Sequence, residues 1–209
     1  MRSLILATIL VSALSIIAVP ANSSPAGFQQ VPDPATRTNP TRIQVIDFFW
    51  YGCPYCNLFE PQLEDWLDSK PDNVDFIRIP AVIRSGWSNH ARAFYTAEAL
   101  GLLDTLHSQL FAAIHEEDQD LNDMDELSRV FADQGIERAR FEEAFNSAAV
   151  NRKVQEASIL TRRYGIDSVP AIVVNGQYRT NPVLAGGASR VLDAVNDLIA
   201  SEQNQTKSP

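Results

Sequence analysis

Residues 42–50, RIQVIDFFW, form a nearly continuous run of β-branched and aromatic residues. Such a run fits a central strand covered on both faces, so the chain must supply layers on either side of a sheet. The next residues, YGCPYCNLFE, hold the only two cysteines of the chain, Cys53 and Cys56. Beyond them, Leu58, Phe59, Leu63, Trp66 and Leu67 recur at helical spacing, with Pro61 inside the pattern and expected to kink it. NVDFIRIP, residues 73–80, reads as a second strand.

Residues 88 to about 164 carry helical stripes instead. Leu103, Leu106, Leu110 and Ile114 make one stripe, and Phe141, Phe145 and Ala148 another. Asp123 and Glu126 have the spacing of a capping box, and Gly135 and Gly165 are placed to stop helices. Val154, Ala157, Leu160 and Tyr164 mark a long helix, followed by a strand over 171–174. An Asn175-Gly176 hairpin turn, a return strand over 177–180 and a last helix through Val195 and Ile199 complete the order. The first and last strands are therefore expected to share one sheet, with a block of helices inserted between them. The acidic run 115–120, HEEDQD, reads as a solvated loop between helices.

The expected organisation is an export signal over 1–21, a lead-in over 22–41 and a sheet domain built from 42–87 and 150–200. A helical insertion covers 88–149 and a polar, frayed tail 201–209. The signal rests on Arg2, the apolar run from Leu4 to Val19, and the small residues before a cut after Ala21. A retained anchor is the alternative, disfavoured by Ser12 and Ser15 within the run. A net charge of −9 argues against nucleic acid as a partner, because that binding relies on Lys and Arg.

A strand, a tight turn, Cys-x-x-Cys and a helix form a specific arrangement. Unpaired N–H groups at a helix start favour negative charge and lower the pKa of a thiol there. Cys53 holds that position, Pro54 suits the first helical residue, and Cys56 lies on the same side of the first turn. Cys53 is expected to attack and be attacked, and Cys56 to resolve the mixed disulfide. A structural disulfide would close only a tiny loop. A zinc site would need His90, His107 or His115, none at a finger spacing. Two inert buried cysteines are the third alternative.

FFWYGCPYC on a strand-to-helix turn, with SVPAIVVNGQY at 168–178, resembles the thioredoxin superfamily. The helical insertion and export signal make the chain similar to the DsbA family of periplasmic thiol:disulfide oxidoreductases over about 42–200. The resemblance implies an α/β fold, a thioredoxin-like mixed sheet with an inserted helical domain. It implies a cis bond at Val169-Pro170 against the active pair, with the Val169 backbone binding an extended substrate; the residues alone leave cis and trans open. It also implies that Asp47 lies beneath the second cysteine and moves its proton, with Arg78 able to pair with it. A structural ion pair, or an Asp at a sheet edge, is the other reading of Asp47.

The dipeptide Pro54-Tyr55 departs from the Pro-His of the best-known member. Tyr55 offers only a ring and a hydroxyl where histidine could stabilise a thiolate, so a less oxidising pair is expected. The activity implied is a periplasmic oxidase that donates the Cys53–Cys56 disulfide to reduced exported proteins. It needs no metal or organic cofactor, works as a monomer, and is reoxidised by a DsbB-like quinone-linked membrane protein. A reductase or isomerase of the same fold, and a peptide-binding chaperone, are the alternatives.

Overall fold

The computed structural model describes residues 27–35, 39 and 41–207. The expected export signal and part of the lead-in lie outside the described residues. The elements are β1 (Gln29–Gln30), β2 (Ile43–Phe49), α1 (Pro54–Ser69), β3 (Val74–Pro80), α2 (Ser88–Ala99), α3 (Leu103–His115) and α4 (Met124–Ala132). They continue with α5 (Arg138–Phe145), α6 (Ala148–Arg163), β4 (Ala171–Val174), β5 (Tyr178–Thr180), α7 (Pro182–Ala185) and α8 (Val191–Lys207). The strands form one mixed sheet in the order β1-β5-β4-β2-β3. β2 runs parallel to β3 and antiparallel to β4, so the apolar run does lie inside the sheet.

Alternation along β2 divides the core in two. Ile43 and Val45 face Phe59, Leu63 and Trp66 of α1 and Val195, Leu198 and Ile199 of α8. Ile46 and Phe48 face the other way, into a core shared with α2 to α6. The helical block thus covers one face of the sheet and α1 with α8 the other. The expected boundary at residue 150 falls inside α6, whose Val154 and Ala157 pack in the same core as Phe94 and Phe141.

Local chemistry fixes several ends. Asp123 and Glu126 make the reciprocal capping box that starts α4. Asn175 and Gly176 both take positive φ, which lets Gln177 N–H donate to Val174 O at 3.0 Å and close the three-residue connection between Val174 and its partner Tyr178. The tail expected to fray is helical: α8 runs through Lys207. Glu202 on α8 is buried and accepts from Asn175 Nδ2 at 2.6 Å, and Gln203 donates to Asn73 at 3.2 Å. These long-range bonds anchor a polar segment that has no apolar pattern to announce it.

Candidate active site

β2 delivers the chain into a turn in which Cys53 N–H donates to Trp50 O at 2.9 Å. Gly52 is required here: a Cβ on it would stand 2.4–2.8 Å from the Trp50 indole. Cys53 then caps α1 with an extended backbone, and Pro54 occupies the first helical turn. The Cys53 Sγ accepts from Cys56 N–H at 3.4 Å and, as a thiol, donates to Val169 O at 3.4 Å. Both cysteines are free thiols; Cys53 keeps 7% of its surface exposed and Cys56 1%.

Their acidities diverge. The Cys56 thiol hydrogen-bonded to Cys53, helped by the N–H groups of Cys56 and Tyr55, brings Cys53 down to about 7 against the opposing effect of burial. Burial, the neighbouring Cys53 sulfur and the charge of Asp47 push Cys56 far above an ordinary thiol. One sulfur is therefore a ready thiolate and the other a thiol at any physiological pH.

Val169-Pro170 is cis, and its Val169 carbonyl faces Cys53. Tyr55 and Leu58 stand exposed on the first turn of α1. The Val169 carbonyl thus lies on one side of Cys53, and an exposed aromatic and aliphatic side chain stand on the adjoining helix start.

Beneath α1, Asp47 is 1% exposed and neither carboxylate oxygen has a hydrogen-bond partner. Burial and the charge of Glu60 hold it well above the usual carboxylate range, which Arg78 only moderates. Its protonated form is thereby favoured. The expected pairing with Arg78 is not made. Although Asp47 and Arg78 are register partners on β2 and β3, Arg78 reaches Glu60 at 3.1 Å and Glu64 at 2.5 Å. The reason is geometric: those two carboxylates sit one turn apart on α1 and both offer oxygens to one guanidinium. Burial opposes the ionisation of Glu60, but His107 and Arg78 hold it below the usual carboxylate range. These groups line a groove of about 810 Å³ between α1 and α3.

The histidines carry no sequence signal for a ligand set, and no group of three His, Cys, Asp or Glu among the described residues is placed to hold a metal. They serve the cysteine turn instead. His107 Nδ1 is 2.9 Å from Tyr51 Oη, and His115 Nε2 is 2.7 Å from Tyr51 O. The His90 ring stacks on Trp50, which itself stacks on Trp87 at 4.2 Å. His107 Nε2 lies 3.4 Å from Glu60 Oε1, within ion-pair reach but off the line of a hydrogen bond. The one hint in sequence is that His107 and His115 are two turns apart on one helix.

The DSBA-like thioredoxin domain family matches residues 77–199, a span that begins after the cysteine pair. Among curated relatives, the thiol:disulfide interchange protein DsbA of Pseudomonas aeruginosa is 34% identical over 210 residues, covering 99% of this chain and 100% of the relative. DsbA of Bordetella pertussis is 39% identical over 164 residues, covering 77% of this chain and 78% of that protein. Among solved structures, P. aeruginosa DsbA superposes with a TM-score of 0.81 at 33% identity, over 88% of this chain and 95% of that one. The oxidoreductase DsbA of Xylella fastidiosa gives 0.74 at 28% identity, over 84% and 96%.

Proposed function

Because the chain belongs to the DsbA family of thiol:disulfide oxidoreductases, which exchange disulfides with client proteins, we propose that it acts as the oxidant, at Cys53. The observation that carries this reading is the likeness over the full chain to thiol:disulfide interchange proteins DsbA, with Cys53, the more acidic and more exposed of the two sulfurs, as the reacting one. A stabilised Cys53 thiolate favours the reduced protein, and so the transfer of the disulfide to the client.

In the reaction, a client thiolate attacks Cys53 Sγ of the oxidised pair. The Cys53–Cys56 bond breaks, its electron pair leaves on Cys56, and Cys56 takes up a proton. The Asp47 carboxyl, whose burial favours its protonated form, is the group we assign to supply it, a role its electrostatic effect on Cys56 supports. The client's second thiolate then attacks the client sulfur of the mixed disulfide, and Cys53 departs as a thiolate. Two electrons pass to the protein and one disulfide forms in the client. The Val169 carbonyl beside Cys53 is suited to accept a backbone N–H from an extended client segment. Pro54 and Tyr55 shape the helix start that holds the thiolate. Arg78 acts at one remove, by pairing with Glu60 and Glu64 on α1 near Asp47.

On this reading the protein is exported to the periplasm and works as a monomer. A DsbB-like quinone-linked membrane protein returns the pair to the disulfide. The test is the equilibrium of the Cys53–Cys56 pair with a glutathione buffer, alongside a Cys56→Ser chain in the same compartment. An oxidant is reduced far more readily than thioredoxin, and its Cys56→Ser form accumulates mixed disulfides through Cys53. A potential near that of thioredoxin would assign the chain to reduction instead.

A further inference from the structure

All three histidines of the chain meet on two consecutive residues, Trp50 and Tyr51, at the entrance to the cysteine turn. They come from the helical block, His90 from α2 and His107 and His115 from α3. Trp50 provides the carbonyl that accepts from Cys53 N–H, and its indole lies against Gly52. Tyr51 is held at both ends, its hydroxyl by His107 and its carbonyl by His115. A carbonyl only accepts, so His115 must carry its proton on Nε2.

The carbonyl of Tyr51 belongs to the peptide that joins it to Gly52. That peptide is the softest link of the turn, because glycine tolerates rotations that other residues resist. The bond from His115 removes this freedom. With it in place, the Cys53 Sγ stays where the Cys56 N–H can reach it.

The geometry points to His115 as a positioning residue for the thiol exchange: through the Tyr51 carbonyl it locks the 50–53 turn and so sets the thiolate geometry of Cys53. His107 and His90 brace the same turn from the Tyr51 hydroxyl and the Trp50 ring. The helical block thereby acts on the sulfur chemistry of the sheet domain without touching either sulfur. This inference rests on the oxidant reading above, and the experiment separates the two.

Replacing His115 by Asn and by Gln makes the test. The Gln amide nitrogen reaches the place of imidazole Nε2, whereas the Asn amide falls short by one methylene. Two quantities are read in each reduced chain, the titration of Cys53 by ultraviolet thiolate absorbance and the equilibrium with glutathione. In His115→Asn the titration moves to higher pH and reduction becomes less favourable, by up to about fivefold, the worth of one net hydrogen bond. His115→Gln restores both. A wild-type titration and equilibrium in His115→Asn overturns the inference, as does a shift that Gln fails to restore. Thermal unfolding confirms that the chains compared are folded; should the Asn chain not fold, His115→Leu reads the same bond. The wild-type equilibrium alone bears on the oxidant reading, and the Asn-to-Gln contrast alone bears on the clamp.

Discussion

Acidifying the reduced protein removes the Cys53 thiolate, and the stability lost with it follows from the site. The folded thiol ionises at about 7 against an ordinary value of 9.0. Two units at ~1.4 kcal/mol each mean that folding favours the thiolate by about 3 kcal/mol. Because the folded value is depressed, this stabilisation is complete above the unfolded value and disappears as pH falls through the folded one. Between about pH 8 and about pH 6 the reduced protein loses roughly 1.3 kcal/mol from this source, close to tenfold in the unfolding equilibrium constant. Cys56 is a thiol in both states across that window and adds almost nothing. His90 does contribute, since burial holds it at about 4 in the folded chain. A Cys53→Ala chain retains that contribution and every other. Urea unfolding of the two reduced chains at both pH values therefore isolates the cysteine. The stability difference between them should change by about 1.3 kcal/mol in favour of wild type at the higher pH. Parallel profiles would refute the assignment of a depressed thiolate to Cys53, and with it the argument that Cys53 is the better leaving group.

Asp47 gives the opposite sign. Its folded value is raised, so its contribution is fully present below the unfolded value of 3.8 and lost as pH rises. Asp47→Asn should raise the urea midpoint at neutral pH but not at about pH 3, while slowing mixed-disulfide turnover by at least about tenfold; an unchanged rate would remove Asp47 from proton transfer. Tyr55→His should lower the Cys53 titration by about one unit and make the pair more readily reduced. An identical glutathione equilibrium in that variant would dismiss the dipeptide as a tuning element. Asn175→Ala should cost about 3 kcal/mol in urea unfolding, since it removes the acceptor of Gln44 N–H and a donor to Glu202 and puts at φ 52° a residue that tolerates the left-handed region less well than Asn. A loss under about 1 kcal/mol would show that the hairpin and α8 are held by packing alone.

Much of the architecture is legible in short stretches because its causes are local. β2 declares itself by a run of apolar residues, α4 by a reciprocal cap, and the β4–β5 turn by Asn-Gly. The cysteine site is legible for the same reason: the strand end, Gly52, Cys53 and Pro54 are consecutive, and the helix start that acidifies the thiol follows at once. The partners of Arg78 were not legible. Strand register puts it beside Asp47, yet its long side chain passes over to α1, where two carboxylates outcompete one buried acid.

The sequence by itself determined the chemistry, two sulfurs at the start of a helix, because that arrangement needs only neighbours along the chain. The tertiary structure alone decided what surrounds it. Val169 comes to Cys53 from 116 residues away, Tyr51 meets His107 across 56 and His115 across 64, and Asn175 holds Glu202 across 27. Such contacts follow from how a sheet and a helical block pack, which is set by the whole core rather than by any local pattern. A histidine in a helix reads the same in sequence whether it faces solvent or clamps an active-site turn; the fold of the other elements makes the difference.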